Sequence, residues 1–222
     1  MNILIIYAHD EPTSFTAAMK NLAVENLSRQ GHSVVVSDLY AQGFSPAAQK
    51  WDFVTTSGGH YNYMLEQKHA ANLDLAFSPD ILGEIQKLRA AEIVLFITPM
   101  WWFSVPAILK GWFDRVLAMG VAWNGGKIYE EGLLSGKQAM LMVAAGGPPA
   151  YYQENGRHKA TANQILHPIN HGTLAFCGMD VHEPFVVLGV LGRRQEELEG
   201  SLKELEFRLE HLIDSPQWLI RY

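Results

Sequence analysis

Cysteine is nearly missing from this chain: Cys177 is the one thiol among 222 residues. An intramolecular disulfide is therefore impossible, which suits a reducing compartment. Long apolar runs are missing as well, and no stretch approaches the roughly 20 residues that a membrane helix needs. No run of Lys or Arg offers an electrostatic footprint, and the net charge is a mild −6, so neither nucleic acid nor anionic lipid is an expected partner. The N-terminus lacks a basic region, and its apolar run is too short for a signal peptide. A soluble cytoplasmic protein without stable membrane insertion is the expectation.

Several catalytic motifs are also missing. No G-x-G-x-x-G and no G-x-x-x-x-G-K-[ST] occurs, which argues against a Rossmann dinucleotide fold and a P-loop NTPase. There is no G-x-S-x-G elbow for an α/β-hydrolase. Without H-E-x-x-H or C-x-x-C, a zinc site has little support.

What is present is a globular composition, 48% apolar and 18% charged, in a length that suits one domain over 1–222. Continuous apolar runs at Ile3–Ala8, Ile93–Thr98 and Ala139–Ala145 mark strands buried on both faces, as parallel sheets require. Ser33–Ser37 and Asp180–Val187 are weaker strand candidates. Helical spacing links Phe15, Met19, Leu22, Ala23 and Leu27, with Gly31 as a stop. Ser78-Pro79-Asp80 reads as the start of a second helix. Val105–Leu117 and a leucine stripe from Leu198 to Leu212 complete the set. Alternating strands and helices predict a doubly wound parallel sheet, five strands in the flavodoxin-like order 2-1-3-4-5 with helices on both faces. The irregular stretches, 40–62, 120–136 and 146–157, are long enough to be functional.

Ligands in such sheets bind beyond the carboxyl ends of the strands. After the first strand, Thr13, Ser14 and Thr16 bring hydroxyls to a helix N-terminus, whose free amides and dipole suit a phosphate; His9 adds a donor. Simple helix capping is the alternative. After the third strand, Pro99-Met100-Trp101-Trp102-Phe103 places three aromatics together, fitting either a flat polarizable ligand or a core or interface cluster. After the fourth, Ala144-Ala145-Gly146-Gly147 lets backbone approach a ligand, or forms a plain turn. Tyr152 and His158 follow in the same loop as titratable groups able to steady charge on a bound ring. Cys177 lies in an apolar context and reads as a buried structural thiol.

Taken together, these loops resemble the NAD(P)H:quinone oxidoreductase (DT-diaphorase) family over nearly the whole chain. The blocks that carry the likeness are Tyr7-Ala8-His9 with Thr13-Ser14-Phe15, Ser37-Asp38-Leu39-Tyr40, Ser78-Pro79-Asp80-Ile81, the run Trp102 to Phe113, Gly146-Gly147, and Phe176-Cys177-Gly178. The resemblance implies FAD, with His9 and Thr13, Ser14, Phe15, Thr16, Ala17 and Ala18 near its phosphates. Met100 to Phe103 and Ala144 to Gly147 would flank the isoalloxazine, and Asn62 falls near a family amide that contacts the cofactor. Tyr152 and His158 match the residues that neutralise charge on the flavin after hydride arrives. Phe103, Trp123, Asn124 and Phe176 fall on or beside positions lining the shared nicotinamide and quinone pocket. The implied activity is two-electron, ping-pong transfer from NAD(P)H to quinones in a homodimer, the second subunit closing each pocket.

The chain departs from the family pattern in places. Trp123 and Gly125 stand where vertebrate members carry tyrosines, and Ala144-Ala145 replaces a Thr pair. The family arginine near the adenine has no clear counterpart around Arg193 to Glu199, which leaves FMN open. His171 matches one ligand of a metal site in some relatives, but its partner position is Ala175, so no metal is expected. Two other readings stand beside the enzyme: an ancillary subunit of a glutathione-gated potassium efflux system, and a one-electron flavodoxin. The apolar circumference of the helix Val105–Leu117 predicts that a second chain covers it.

Overall fold

A computed structural model describes residues 1–212 and 219–220. The chain opens with β1 (Asn2–Tyr7), α1 (Phe15–Arg29) and β2 (Ser33–Asp38). A long irregular stretch leads to α2 (Tyr63–Asn72), α3 (Pro79–Ala90), β3 (Ile93–Pro99) and α4 (Ala107–Val116). Then follow β4 (Gln138–Ala145), α5 (Ala162–Ile169), β5 (Asp180–Val181), β6 (Phe185–Leu188) and α6 (Gln195–Glu210).

All strand pairs are parallel, in the order β2-β1-β3-β4, with β5 and β6 both pairing to β4. The predicted order holds, but the fifth strand is in two pieces. Val181 pairs with Ala139 and Phe185 with Met142, so His182, Glu183 and Pro184 face only Met140 and Leu141. Pro184 has no N–H to give a ladder, and the sheet takes up the extra residue as a bulge at its edge.

Alternate residues of β1 feed two cores. Leu4 and Ile6, followed by Ala8 just past the strand, pack on one face of the sheet, with α3 and α4. Ile3, Ile5 and Tyr7 pack on the other, with α1 and α6. The central strand β3 is buried along its full length, which is why it reads as an unbroken apolar run. Among the described residues no helix is long and apolar enough to cross a membrane.

The sequence reading misses α2 and α5. Of α2, the inward face is Glu66, Gln67 and Ala70, so apolar periodicity is absent there. Ser57 answers Glu66 through its amide and hydroxyl at 2.8 and 2.6 Å, and Gln67 reaches the Asp114 carbonyl at 2.8 Å. The expectation for α4 also needs correction. Its apolar circumference is covered by its own chain: Leu109, Trp112, Phe113 and Val116 are buried. The Trp112 indole donates to the buried Glu84 carboxylate at 2.8 Å. Gly111 packs so closely on Pro46 that a Cβ would overlap its backbone. Only Ala107, Lys110 and Asp114 are exposed on this helix, so it offers no argument for a second chain.

Arg115, on the same helix, ties the irregular stretch down. It grips the fully buried Asp52 with two N–H groups at 3.1 and 2.8 Å, and donates to the Ser45 carbonyl at 2.9 Å. Asp80 approaches it at 2.8 Å, and the Tyr63 hydroxyl donates to Asp52 at 2.7 Å. Burial, followed by the Asp52 carboxylate, pushes the Tyr63 phenol far up. Nothing in the local sequence signals this network, because its members lie on four separate segments.

Candidate functional site

The carboxyl ends of β1, β3 and β4 converge, and each is followed by a shaped loop. Beyond β1, Ser14 caps α1, its hydroxyl accepting from the Ala17 amide at 3.1 Å. His9 Nδ1 accepts from the Glu11 amide at 3.0 Å, which leaves Nε2 as the N–H face of the neutral ring. Glu11 in turn takes the amide and hydroxyl of Thr13 at 2.8 and 2.7 Å. These bonds, the Thr13 hydroxyl first, hold the Glu11 carboxyl below the usual range. Thr16 and Ala17 are buried under the helix start, while Phe15 and Ala18 remain partly accessible. Ser14 is thus a cap; the hydroxyl of Thr13 and the ring of His9 stay at the surface of the loop.

Beyond β3 the chain makes a two-residue hairpin. The amides and carbonyls of Trp101 and Ser104 exchange two bonds of 3.0 Å. Between them Trp102 and Phe103 have φ of +50° and +57°. This is the primed turn usually built from Asn and Gly; for bulky L-residues it costs roughly 1–2 kcal/mol each. Trp102 is 95% exposed. Strain of this kind, with an indole facing solvent, gathers at ligand sites. Met100 donates to the Ala144 carbonyl at 2.8 Å, locking this turn to the end of β4.

Beyond β4, Ala144 and Ala145 are buried and Gly146 and Gly147 form a ledge. A Cβ at Gly146 would meet Leu191 at 2.8 Å, and one at Gly147 would meet the Tyr152 ring at 3.0 Å. The ledge is therefore bare backbone, walled by two side chains. The His158 ring meets Tyr152 edge-on at 4.7 Å, Phe103 at 4.9 Å and Tyr151 at 5.5 Å. Burial raises the Tyr152 phenol above its usual value, so it remains a protonated donor at neutral pH. Sequence reasoning foresees Tyr152, His158 and Phe103. It misses Leu191, which sits in the loop after β6 and has no local signal beyond exposure.

The other expected pocket residues lie elsewhere. Trp123 and Phe176 meet at 5.6 Å on the wall of a cavity of about 650 Å³. Tyr61, Tyr63, Met64, Phe113 and Cys177 share it; Phe103 does not. Asn124 accepts from the Gly125 amide at 2.9 Å and closes its own tight loop. Asn62 caps α2, accepting from the Leu65 amide at 3.2 Å, and that bond accounts for its side-chain oxygen. Burial pushes the Cys177 thiol up to about 12, as befits a structural residue. Among the described residues no cluster of three His, Cys, Asp or Glu side chains is placed to hold a metal.

Comparison with known proteins agrees with this architecture. A family model described as flavodoxin-like fold matches residues 1–209. Human ribosyldihydronicotinamide dehydrogenase [quinone] is 42% identical over 210 residues, spanning 94% of this chain and 90% of the relative. The chain belongs to the flavodoxin-like quinone oxidoreductase family. Rat NAD(P)H dehydrogenase [quinone] 1 shares 42% identity over 209 residues, 91% of this chain and 76% of that protein. A solved structure from Klebsiella pneumoniae, provisionally designated a quinone reductase, superposes with a TM-score of 0.90 at 38% identity. It covers 96% of this chain and 85% of its own.

Proposed function

We propose that the protein is an NAD(P)H:quinone oxidoreductase that works through one bound flavin, FAD. The observation that carries the reading is the joined set Gly146–Gly147, Tyr152, His158 and Phe103. It offers a bare backbone ledge with a protonated phenol and an aromatic wall at one edge. The residues fit a flat ring: small groups permit close approach, and aromatic faces suit a polarizable plane. When bound, the flavin supplies the hydride relay between a reduced nicotinamide and a quinone. Tyr152 would donate a hydrogen bond to the edge of the ring it faces, and His158 would keep the Tyr152 ring in place. His9 Nε2, Thr13 and the start of α1 hold the phosphates. Ala145, lacking the family hydroxyl, leaves the backbone at the end of β4 to make the polar contacts.

The enzyme is proposed to be cytoplasmic and a homodimer. Support for the dimer is the separation of Trp123 and Phe176 from Phe103, since a second copy can bring the two aromatic groups together. Met64 on the cavity lining is 56% exposed, and Trp51, next in sequence to the cavity residue Lys50, is 72% exposed, apolar surface that such contact would cover. The regulatory-subunit reading draws no support from the relatives described. Purified protein should be yellow; heat release and chromatography identify the flavin, and assays with nicotinamide donors and a quinone panel test the activity. A colourless protein that takes up neither FAD nor FMN would overturn the proposal.

A further inference from the structure

We propose that Arg157 selects the hydride donor by binding phosphate, favouring a nicotinamide dinucleotide over the bare riboside; the assignment rests on the quinone reductase reading. The two mammalian relatives described above are equally similar to this chain, yet their names specify different donors. One is ribosyldihydronicotinamide, which has no phosphate. The other is NAD(P)H, whose diphosphate carries two negative charges. A residue that senses phosphate beside the hydride site would separate them.

Arg157 stands in that place. It precedes His158, and the loop holding both is closed by backbone bonds from His158 to Tyr151 at 3.0 Å and from Gly156 to Gln153 at 2.8 Å. At Gly156 a Cβ would press on the Ala150 and Tyr151 carbonyls at 2.5 and 2.7 Å, so the turn that carries the exposed arginine is tight. Its guanidinium lies 5.3 Å over the Tyr151 ring and donates to that hydroxyl at 3.2 Å. The same Tyr151 ring touches His158. Among the described residues Arg157 makes no ion pair, whereas Arg29, Arg115 and Arg194 each have a carboxylate. The nearby Glu154 faces Gln164 instead. A planar guanidinium stacked on a neutral ring keeps most of its donors and all of its charge for an incoming anion. In a chain of net charge −6 it is a local attraction for a dinucleotide that would otherwise be repelled.

The test compares NADPH, NADH and dihydronicotinamide riboside with one quinone, using flavin-loaded wild type, Arg157→Gln and Arg157→Lys. The ratio of kcat/KM for either dinucleotide to that for the riboside should fall about tenfold in Arg157→Gln, equivalent to about 1.4 kcal/mol. The change should lie mainly in KM, and Arg157→Lys should recover part of it. Raising ionic strength should weaken NADPH use in wild type and do so less in Arg157→Gln. An unchanged donor ratio in Arg157→Gln, whether both donors slow together or neither does, would overturn the assignment. A wild-type protein that reduces no quinone with any donor would instead overturn the functional reading, and this inference with it.

Discussion

The Tyr152 ring lies against Gly147 so closely that a single methyl at 147 would stand 3.0 Å from its hydroxyl oxygen. Gly147→Ala must therefore displace the phenol or the backbone ledge. We expect weaker flavin retention and slower reduction by NADPH, with little loss of thermal stability because the position is only half-buried and lies outside the core. Equal flavin affinity and equal rate would show that the ring has room to move.

The phenol and the imidazole should act on flavin reduction rather than on quinone binding. Acid–base groups contribute roughly 10²–10⁴-fold in general, and hydride transfer between these cofactors needs little help. Tyr152→Phe and His158→Gln are expected at or below the low end of that range. Stopped-flow reduction measures it directly; unchanged rates in both variants would remove these residues from the mechanism.

The hairpin at Trp102 and Phe103 should trade stability against ligand binding. Trp102→Gly releases a left-handed strain of roughly 1–2 kcal/mol and removes an indole that packs on little, being 95% exposed. Denaturant unfolding of the flavin-free protein should show it no less stable than wild type. Its flavin should dissociate faster. A destabilised apoprotein with normal flavin affinity would mean that the turn serves the fold alone.

Arg115 and Asp52 are buried at 3% and 0% exposure, so removing one charge leaves the other uncompensated. Arg115→Met should cost about 3–5 kcal/mol, read from the urea midpoint. Asp80 adds a pH signature. Burial opposes its ionisation, but the Ser78 hydroxyl and the Arg115 guanidinium outweigh it and hold the carboxyl below its usual range. A lowered carboxyl contributes stability above its unfolded pKa and loses it as the pH falls through the lower folded value. Asp80→Asn should thus be less stable than wild type at neutral pH, with the gap closing in acid.

His182 gives an independent acid response. Its Nε2–H donates to Gln138 at 3.0 Å, Nδ1 has no hydrogen-bond partner among the described residues, and burial, aided by Arg208, lowers its pKa to about 4. The unfolded chain binds the proton first, near pH 6.5, so stability present above that value declines as pH falls towards 4. The loss is about 3 kcal/mol by the same linkage. His182→Gln should flatten the stability profile between pH 6.5 and 4; a profile with the wild-type slope would exclude this histidine.

The parts of this molecule legible in its sequence are those where one local pattern decides. Ile93 to Thr98 could only be a doubly buried strand, and Trp102 to Phe113 carries enough rare residues to place the family. Tyr152 and His158 were legible through that likeness, and the structure does bring their rings together. Hidden were features made by distant segments: α2, whose inward face is polar because Ser57 and Asp114 satisfy it, and the Arg115 network spanning Ser45 to Asp80. Phe103, expected in one pocket with Trp123 and Phe176, lies outside the cavity that those two line within one chain. The α4 helix misled because an apolar circumference does not say which chain covers it.

The bulge at His182–Pro184 has a consequence for sequence change at this edge. Val181 and Phe185 are four residues apart and in an unbroken strand would share a face. Instead Val181 belongs to the core beside α3 and α4, while Phe185 and Val187 belong to the one beside α1 and α6. The extra residue works as a frame shift between two cores. Trimming it to make a regular strand would turn Phe185 and Val187 towards the wrong side, so this short stretch should tolerate substitution far better than a change of length.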